Sequence, residues 1–219
     1  MVRKDEFIKE RNQKLSKKVI EALKKRHFDA YFCENKQQAL EKAMEFIKKE
    51  DTISWGGSMT LGEVGIIDYL ENNGYKTINR DKAQTPEEKS QCAYDAFKSD
   101  VFLMSANAIS QDGQLINIDG LGNRVAALIF GPKKVIVIAG MNKVEKDFES
   151  AFNRARNFAA PCNMQRIAAA SNRQTPCAIT GDCADCYSPD SICCQMVTTR
   201  LCRPEGRIVV ILVNEELGY

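Results

Sequence analysis

The chain has 219 residues, a length typical of one large α/β domain, and its formal net charge at pH 7 is only +2. This balanced charge gives no reason to expect a nucleic-acid partner. No stretch reaches the ~18 apolar residues that a membrane-spanning helix needs, and the charged N-terminal stretch lacks the apolar core of a signal peptide. We therefore expect a cytoplasmic protein without a membrane span.

The first half of the chain alternates between helical and extended patterns. Apolar residues recur at three- and four-residue steps in the helical stretches, and short apolar runs bounded by turn residues predict the strands. Thr85, Pro86 and Glu88 supply a cap, a first-position proline and a third-position glutamate, which together mark a helix start. The predicted elements are helix 4–26, strand 27–33, a helix after Asn35, strand 52–55, helix 61–72, strand 75–79 and a helix from Thr85 to about Lys98.

The middle of the chain carries the most apolar strands, and we expect these to form the centre of the sheet. The apolar runs 101–104 and 114–118 are linked through a turn at Asp112-Gly113, which predicts a hairpin or a tight strand–turn–strand unit. The β-branched run 134–139 is typical of a strand that is buried on both faces.

Strands and helices continue to alternate in the second half. The elements predicted after residue 140 are a helix from Asn142 to about Ala159 that Pro161 ends, a short helix over 162–170 and a last strand over 207–214. This alternation predicts an α/β fold, namely a Rossmann-like, mostly parallel sheet with helices on both faces. We expect one domain over residues 1–219, which includes a cysteine-rich C-terminal loop segment at 171–206.

A glycine-rich turn follows the second predicted strand and precedes a helix. Gly56, Gly57 and Ser58 would expose free backbone amides at the start of that helix, where an anion such as phosphate or carboxylate binds favourably. Thr60 and Glu63 have the spacing of a capping box. The same sequence also fits a tight turn between strand and helix that binds no ligand.

Polar and glycine residues follow several predicted strands, whose carboxyl ends share one edge of a parallel sheet. We therefore expect a single cleft that binds a small carboxylate or phosphate, with Arg124 contacting the anion through two parallel hydrogen bonds. The predicted site comprises Gly56, Gly57, Ser58, Thr60, Glu63, Asn107, Asp119, Gly120, Gly122, Asn123 and Arg124. Candidate acid–base groups, each more often a cap or turn residue, are Glu63, Asp112, Asp119 and Lys143.

Six of the nine cysteines lie between residues 171 and 206. Cys183 and Cys186 form a C-x-x-C pair, whose thiolates can bind one metal from a single turn. Cys177 and one of Cys193 or Cys194 are the natural further ligands of a four-thiolate site. Such a site would hold structural zinc or an iron–sulfur cluster. Redox-active thiols and inert buried cysteines are the alternatives.

Other signatures of catalysis or cofactor binding are missing from the sequence. His27 is the one histidine, so a catalytic site that needs histidine would have to use it. No phosphate-binding loop of the Walker type occurs, and Val125 replaces the last glycine of a dinucleotide fingerprint, so we expect neither an NAD nor a flavin site of the usual kind. Isolated cysteines that fit better as small buried residues are Cys33, Cys92 and Cys162.

Five longer motifs stand out along the chain. They are GGSMTLGE at 56–63, MSANAI at 104–109, NIDGLGNRVAA at 117–127, GPK at 131–133 and GMNK at 140–143. Together they resemble the LUD-domain family of lactate-utilisation proteins, over roughly residues 1–219. The resemblance implies a fold similar to the ribose-5-phosphate isomerase, glucosamine-phosphate deaminase and CoA-transferase group. In those relatives a Gly-Ser/Thr turn holds a phosphate or carboxylate, and Gly56, Gly57, Ser58 and Thr60 match that turn.

The resemblance implies a component of an iron–sulfur system that oxidises L-lactate to pyruvate beside separate cluster-bearing subunits. The cysteine-rich segment departs from many small family members, so its metal site is predicted from spacing alone. Two functional hypotheses follow. The first is a subunit of a lactate-oxidising, electron-transferring complex with a metal site in its cysteine segment. The second is a stand-alone enzyme that acts on a small phosphorylated or carboxylated metabolite and carries structural zinc.

Overall fold

The computed structural model describes residues 4–219, in which six parallel strands form the main sheet. In spatial order the strands are β1 (Asp29–Cys33), β10 (Ile208–Val213), β7 (Lys134–Gly140), β4 (Val101–Met104), β2 (Thr52–Trp55) and β3 (Lys76–Ile78). The most apolar strands β10, β7 and β4 lie in the interior of this sheet. Both faces of these strands are buried, so both faces carry apolar side chains.

Helices cover both faces of the main sheet. They are α1 (Lys4–Lys25), α2 (Lys36–Met44), α3 (Met59–Val64), α4 (Ile66–Asn72), α5 (Pro86–Ala96) and α6 (Asn123–Ile129). Three further helices follow, α7 (Phe148–Arg154), α8 (Ala160–Ala170) and α9 (Pro176–Thr180), and α7 packs into a separate core through Ala151. The predicted start of α5 is confirmed, since Thr85 and Glu88 form a capping box. Within residues 4–219, every helix is too short or too polar to cross a membrane.

Two hydrophobic cores lie on opposite sides of the sheet, and alternate residues of β7 serve each one. Val135 and Val137 pack into the core under α1 and α6, whereas Ile136 and Ile138 pack into the core under α2, α3 and α4. All of these side chains are fully buried. The predicted fold class, a parallel α/β sheet with helices on both faces, is therefore confirmed.

A second, four-stranded sheet has the order β8 (Val144–Glu145), β5 (Ala108–Ser110), β6 (Leu115–Asp119) and β9 (Gln195–Thr199). Strands β5 and β6 pair antiparallel around the turn at Asp112-Gly113, so a hairpin forms at the predicted turn. Its first strand is β5, whereas the run 101–104, which we predicted to be that strand, is β4 of the main sheet. We expected the hairpin at the centre of the main sheet. Its strands lie in the second sheet instead, because β5 and β6 pair with β8 and β9 and not with β4 or β7.

The helix predicted over 61–72 is two helices in the structure. Gly65 adopts φ 77° between α3 and α4, and this left-handed conformation ends the first helix. Ser58 caps α3 by accepting a hydrogen bond from the Leu61 amide, so the predicted capping box of Thr60 and Glu63 is wrong. The first strand also starts later than predicted, at Asp29, because the preceding turn holds a left-handed residue.

The helix predicted to run from Asn142 to Ala159 starts only at Phe148, where Asp147 is the cap. It does not end at Pro161, since α7 continues through a π-helical turn, Ala155–Ala159, into α8. A proline inside a regular α-helix clashes with the carbonyl four residues earlier, and the wider π turn directly before Pro161 relieves that clash. The predicted break is therefore a local widening of one long helix.

The cysteine-rich segment 171–206 is more regular than its sequence suggested. It contains the short helix α9, which Thr175 caps, and the strand β9, which pairs antiparallel with β6. Exposed and half-buried residues alternate along β9, but the apolar Met196 is exposed and the polar Gln195 and Thr199 are half-buried, so the sequence hides this period. The last predicted strand is confirmed as β10.

A glycine at the hairpin turn lets the second sheet contact α1 closely. Gly113 has φ 88°, and a Cβ there would lie 2.8 Å from backbone atoms of Ala22 and Leu23. We expect Gly113→Ala to lower the free energy of unfolding by about 3 kcal/mol, through left-handed strain and overlap together. Gly65→Ala is the matched control, because its φ is 77° but no atom lies within 4 Å.

The control should lose only about 1 kcal/mol, the cost of the left-handed conformation for alanine. Urea unfolding of the two variants and the wild type measures both losses. Equal losses in the two variants would contradict the contact between Gly113 and α1.

Candidate functional site

The candidate site lies at the carboxyl edge of the main sheet. After β2 the chain continues to β3 on one side, whereas after β4 it leads to β7 on the opposite side. Open α/β sheets bind ligands at such a switch point. Gly56 follows β2, Ser105 follows β4 and Lys143 follows β7, so the structure places all three along this edge.

Arg124, the second residue of α6, is bonded entirely within the protein. Its guanidinium has five N–H donors, and each donates to a protein oxygen. The acceptors are Asp119 Oδ2 at 3.0 Å, Ser105 O and Asn117 Oδ1 at 3.2 Å, Asn107 Oδ1 at 3.1 Å and Ile118 O at 2.6 Å. We expected Arg124 to bind an anion in bidentate fashion, but in this arrangement no pair of its donors is free to do so.

Gly56 makes room for the Arg124 side chain. A Cβ at Gly56 would lie 2.8 Å from Arg124 Cδ, so only glycine allows the end of β2 to approach this side chain. The glycine is therefore explained by packing. Gly57 is different, since a Cβ added there would meet no atom within 4 Å.

The glycines of the turn after β6 admit the cysteine-rich segment. A Cβ at Gly120 would lie 3.3 Å from Ile192 Cα, and one at Gly122 would lie 3.3 Å from the side chain of Gln195. The Gly122 amide already donates to Asp119 Oδ1 at 2.9 Å. Close packing of β9 against β6 thus accounts for both glycines, which sequence reasoning assigned to a ligand.

Lys143 is a buried amine at the centre of this edge. It is 3% exposed, and its Nζ donates to Thr60 Oγ1 at 3.0 Å and to Ser105 Oγ at 3.2 Å. No carboxylate of the described residues lies within ion-pairing distance of this Nζ. Buried lysines are normally paired, so an unpaired one points to function.

Burial lowers the pKa of Lys143 from its ordinary value of 10.5 to about 7. The positive charge of Arg154 lowers this pKa further, Glu63 opposes the shift, and Arg124 adds a smaller lowering effect. Lys143 therefore changes its protonation state near neutral pH, where a group that takes up and releases protons works best.

Residues 215–219 cover Lys143 and are held by the residues around it. Gly218, with φ 55°, is the residue closest to the amine, because a Cβ there would lie 2.7 Å from Thr60 Oγ1 and 3.3 Å from Lys143 Nζ. Four hydrogen bonds fix this cover: Thr60 Oγ1 to Leu217 O at 3.3 Å, Leu217 N to Asn142 Oδ1 at 3.2 Å, Asn142 Nδ2 to Gly218 O at 3.2 Å and Gly218 N to Glu63 Oε2 at 2.8 Å.

An open cleft of about 620 Å³ lies on the other side of Gly218. Its lining is mainly polar and consists of Asn142, Glu145, Ser150, Asn153, Arg154, Asn157, Phe158, Glu216 and Gly218. The Arg154 side chain is 8% exposed, and it donates from Nε to Asn142 O at 3.1 Å and from Nη1 to Asn107 O at 2.7 Å. Its Nε also lies 3.8 Å from Glu145 Oε1, and its Nη2 has no acceptor within the described part of the chain, so the N–H donors of Nη2 remain for a ligand.

The eleven predicted site residues divide into groups in the structure. Gly56, Asn107 and Asp119 contact Arg124 directly, and Gly120, Gly122 and Asn123 belong to the adjoining turn and helix start. Thr60 and Glu63 lie on the Lys143 side of the same edge. Ser58 caps α3, and a Cβ at Gly57 would meet no atom within 4 Å. The binding of a ligand by these residues remains a prediction.

Sequence reasoning missed Ser105, Asn142 and Arg154, and it considered Lys143 only as an isolated acid–base candidate. The signal that could have found Asn142 and Lys143 is their position directly after the most apolar strand, β7. Asp112, another acid–base candidate, pairs with Arg26 at 2.6 Å in the hairpin turn and lies away from this edge.

The predicted metal ligands also come together in part. Cys177, Cys183, Cys186 and Cys193 line one small cavity of about 50 Å³, whereas Cys194 is exposed and does not line it. Burial raises the pKa of the Cys193 thiol to about 11, and the neighbouring thiols add to this effect. Among residues 4–219, no three cysteine, histidine or acidic side chains are arranged to hold a single metal ion.

Three isolated cysteines were expected to be buried, and the structure agrees for one of them. Cys33 is buried, which raises its thiol pKa to about 11, but Cys92 and Cys162 are only half-buried. Cys202 is the other fully buried cysteine of the described chain, and its sulfur accepts a hydrogen bond from the Ile208 amide in the core.

Removal of the buried amine should stabilise the protein. The unfolded chain holds the Lys143 proton up to about pH 10.5, whereas the folded protein loses it near pH 7, so wild-type stability rises with pH between these values. We expect Lys143→Met to raise the free energy of unfolding at pH 7 by about 1–3 kcal/mol. This advantage should shrink toward pH 10, because the wild-type protein no longer loses stability there.

Urea unfolding at several pH values measures this difference. Lys17→Met, which removes an exposed lysine of α1, is the control and should change stability little at any pH. A Lys143→Met variant that is less stable than the wild type at pH 7 would show that the amine serves the fold.

Comparisons with known proteins identify the family. The family model described as the LUD domain matches residues 16–213. A DUF162 family protein from Deinococcus radiodurans has a similar structure, with a TM-score of 0.51 and 9% sequence identity over 92% of this chain and 97% of that chain. At this identity the likeness shows the fold alone.

A weaker likeness, with a TM-score of 0.37 and 15% identity, links 55% of this chain to 54% of eIF2B delta from Chaetomium thermophilum. No curated protein matches the sequence. Because the family model spans most of the chain, including the Lys143 edge and the cysteine-rich segment, the chain belongs to the LUD domain family.

Proposed function

We propose that this protein is a cytoplasmic component of an assembly that oxidises lactate or a related 2-hydroxy acid, with iron–sulfur partner subunits taking up the electrons. Its own part is to bind the small carboxylate in the cleft beside Lys143. Membership of the LUD domain family, which is associated with lactate utilisation, supports the pathway. The cleft, which Arg154 lines, and the Lys143 amine behind Gly218 support the class of ligand.

The observation that carries this proposal is the buried Lys143 amine, for which the described chain supplies no carboxylate partner. Arg154 lies close enough to lower its pKa, lines the cleft, and keeps its Nη2 without an acceptor in the described chain. Two cations that face one region repel each other, and an anion between them relieves the repulsion. A small carboxylate would supply that charge and leave its hydroxyl group near the amine.

Lys143 suits the proton transfer that oxidation of a hydroxy acid requires. The hydroxyl group must lose a proton, and an amine whose pKa is about 7 is neutral in about half of the molecules at neutral pH. The charged form favours binding of the carboxylate, whereas only the neutral form accepts the proton. Thr60 and Ser105 fix the direction of the amine through their hydroxyl groups. Neither a dinucleotide nor a flavin fingerprint is present in the sequence, so the electrons need an acceptor in the assembly.

Ligand binding should depend on pH in a defined direction. A carboxylate prefers the charged amine, so the affinity for lactate and pyruvate should be highest below pH 7 and should fall as pH rises above it, with a proton taken up on binding. Glu63, Arg154 and Arg124 are the charged groups that face the amine and share in this dependence. Titration calorimetry in buffers of different ionisation enthalpy measures the affinity and the number of protons taken up on binding.

Lys143→Met should weaken this binding on the order of tenfold or more, as expected for loss of a charge-assisted contact, while Lys17→Met should leave it unchanged. Affinity for lactate that is the same in the wild type and in Lys143→Met would refute the binding site. Binding of ribose 5-phosphate but not of either carboxylate would instead favour a stand-alone enzyme on a phosphorylated metabolite.

The pathway itself is tested by growth. A strain of the source organism that lacks this chain and any paralogue should fail to grow on lactate as the carbon source. Wild-type protein and Lys17→Met should restore growth, and Lys143→Met should not, although it is expected to be folded. Normal growth of the deletion strain on lactate would refute the pathway, whereas rescue by Lys143→Met would separate the pathway from the cleft.

A further inference from the structure

We propose that Cys177, Cys183, Cys186 and Cys193 bind an iron–sulfur cluster within this chain, in the small cavity that all four line. This inference goes beyond the proposed function, because the cluster would be held whether or not the cleft binds a hydroxy acid. It also selects Cys193 over Cys194, a choice that spacing along the sequence leaves open.

The backbone around the cavity adopts conformations that bring the four cysteines to its lining. Thr175 caps α9 and places Cys177 in its first turn, and Gly181 ends this short helix with φ 80°. Within the C-x-x-C pair, Asp185 has φ 49°, which is uncommon for a residue other than glycine. This conformation reverses the chain between Cys183 and Cys186, so both side chains line the cavity.

The surroundings of the thiols suit a site with a net negative charge. Arg156 lines the same cavity as Cys183, and its guanidinium pairs with Asp185 at 2.7 Å. A cation beside the ligands offsets the charge of a four-thiolate site. The remaining walls are largely apolar, with Met164, Ile192 and Met196 among them, so the cavity excludes much of the solvent.

The spacing of the four thiols favours a cluster over zinc. Four thiolates around one zinc ion, each about 2.3 Å from the metal, stand roughly 4 Å from one another. No three ligand side chains in residues 4–219 have an arrangement that could hold a single ion. In a cluster with several irons the thiolates bind different iron atoms and stand farther apart. Four thiols that line one cavity but are not arranged around a single metal ion fit that arrangement.

The other cysteines do not compete for this role. All nine cysteines are free thiols in the structure, so the four are not held as disulfides. Cys194 is exposed and directs its sulfur to the Ser191 carbonyl at 3.7 Å, and Cys202 is buried in the main core. Cys194 therefore provides a matched control next to a proposed ligand.

The test compares the full-length wild type, Cys183→Ser/Cys186→Ser and Cys194→Ser, each purified without oxygen and supplied with ferric and ferrous iron and sulfide. We expect the wild type and Cys194→Ser to hold equal amounts of iron and sulfide, with a visible absorption band and an electron paramagnetic resonance signal after reduction. The double variant should lose the iron, the sulfide and both signals.

Several results would overturn the proposal. They are a wild type that takes up no iron, a wild type that retains zinc and no sulfide, and equal iron in the double variant and the wild type. Because the double variant could misfold, alkylation of the iron-loaded wild type gives an independent measurement. We expect Cys177, Cys183, Cys186 and Cys193 to react much more slowly than Cys194, and equal reaction rates would refute the ligand set.

Failure of this proposal and failure of the proposed function give different results. Iron, sulfide and alkylation are measured without lactate or pyruvate. Loss of carboxylate binding in Lys143→Met would not change them, because Lys143 does not line the cysteine cavity.

Discussion

The arrangement of the two sheets depends on the hydrogen bonds of one side chain, Arg124. A side chain that is only 15% exposed must have its donors satisfied, and the five acceptors come from the segment after β4 and from β6. These bonds fix the hairpin of the small sheet against the carboxyl edge of the main sheet. Gly56 follows from the same constraint, since any Cβ there would overlap with the arginine. The edge that carries Lys143 is thereby held in a fixed geometry.

The π-helical turn Ala155–Ala159 connects the two candidate sites. Arg154, Asn157 and Phe158 line the open cleft, while Arg156 and Ala160 line the cysteine cavity. A regular α-helix repeats every 3.6 residues, and the wider turn changes which residues face each side. Arg154 and Arg156 serve opposite sides of one helix, because residues two apart lie on nearly opposite sides of any such helix. Such turns occur frequently at functional sites, and here a displacement of the turn would move the lining of both cavities together.

The parts of the fold that the sequence predicts are those with a strong local signal. Strands β4, β7 and β10 are continuous apolar runs because both faces are buried, and the capping box of α5 lies within four consecutive residues. The site was less predictable, because it depends on contacts between distant segments. A solvent-exposed arginine and one with five internal partners look alike in a sequence, and so do an exposed and a buried lysine. Gly120 and Gly122 fit a ligand-binding turn equally well until the packing of β9 is known.

The burial of Lys143 lowers the stability of the protein, and the fold does not need the amine. Its neutral form is favoured by the surroundings, and Thr60 and Ser105 could bond to backbone oxygens without it. Proteins retain such unfavourable groups mainly where function requires them. Residues 215–219 cover the amine and support the same conclusion. Their cover is held by Thr60, Glu63 and Asn142, which also surround the amine. An anion that reaches Lys143 from the cleft must displace Gly218, and the charge interaction that it gains offsets the hydrogen bonds that the cover loses. The same interaction that would bind the ligand would therefore also open the way to it.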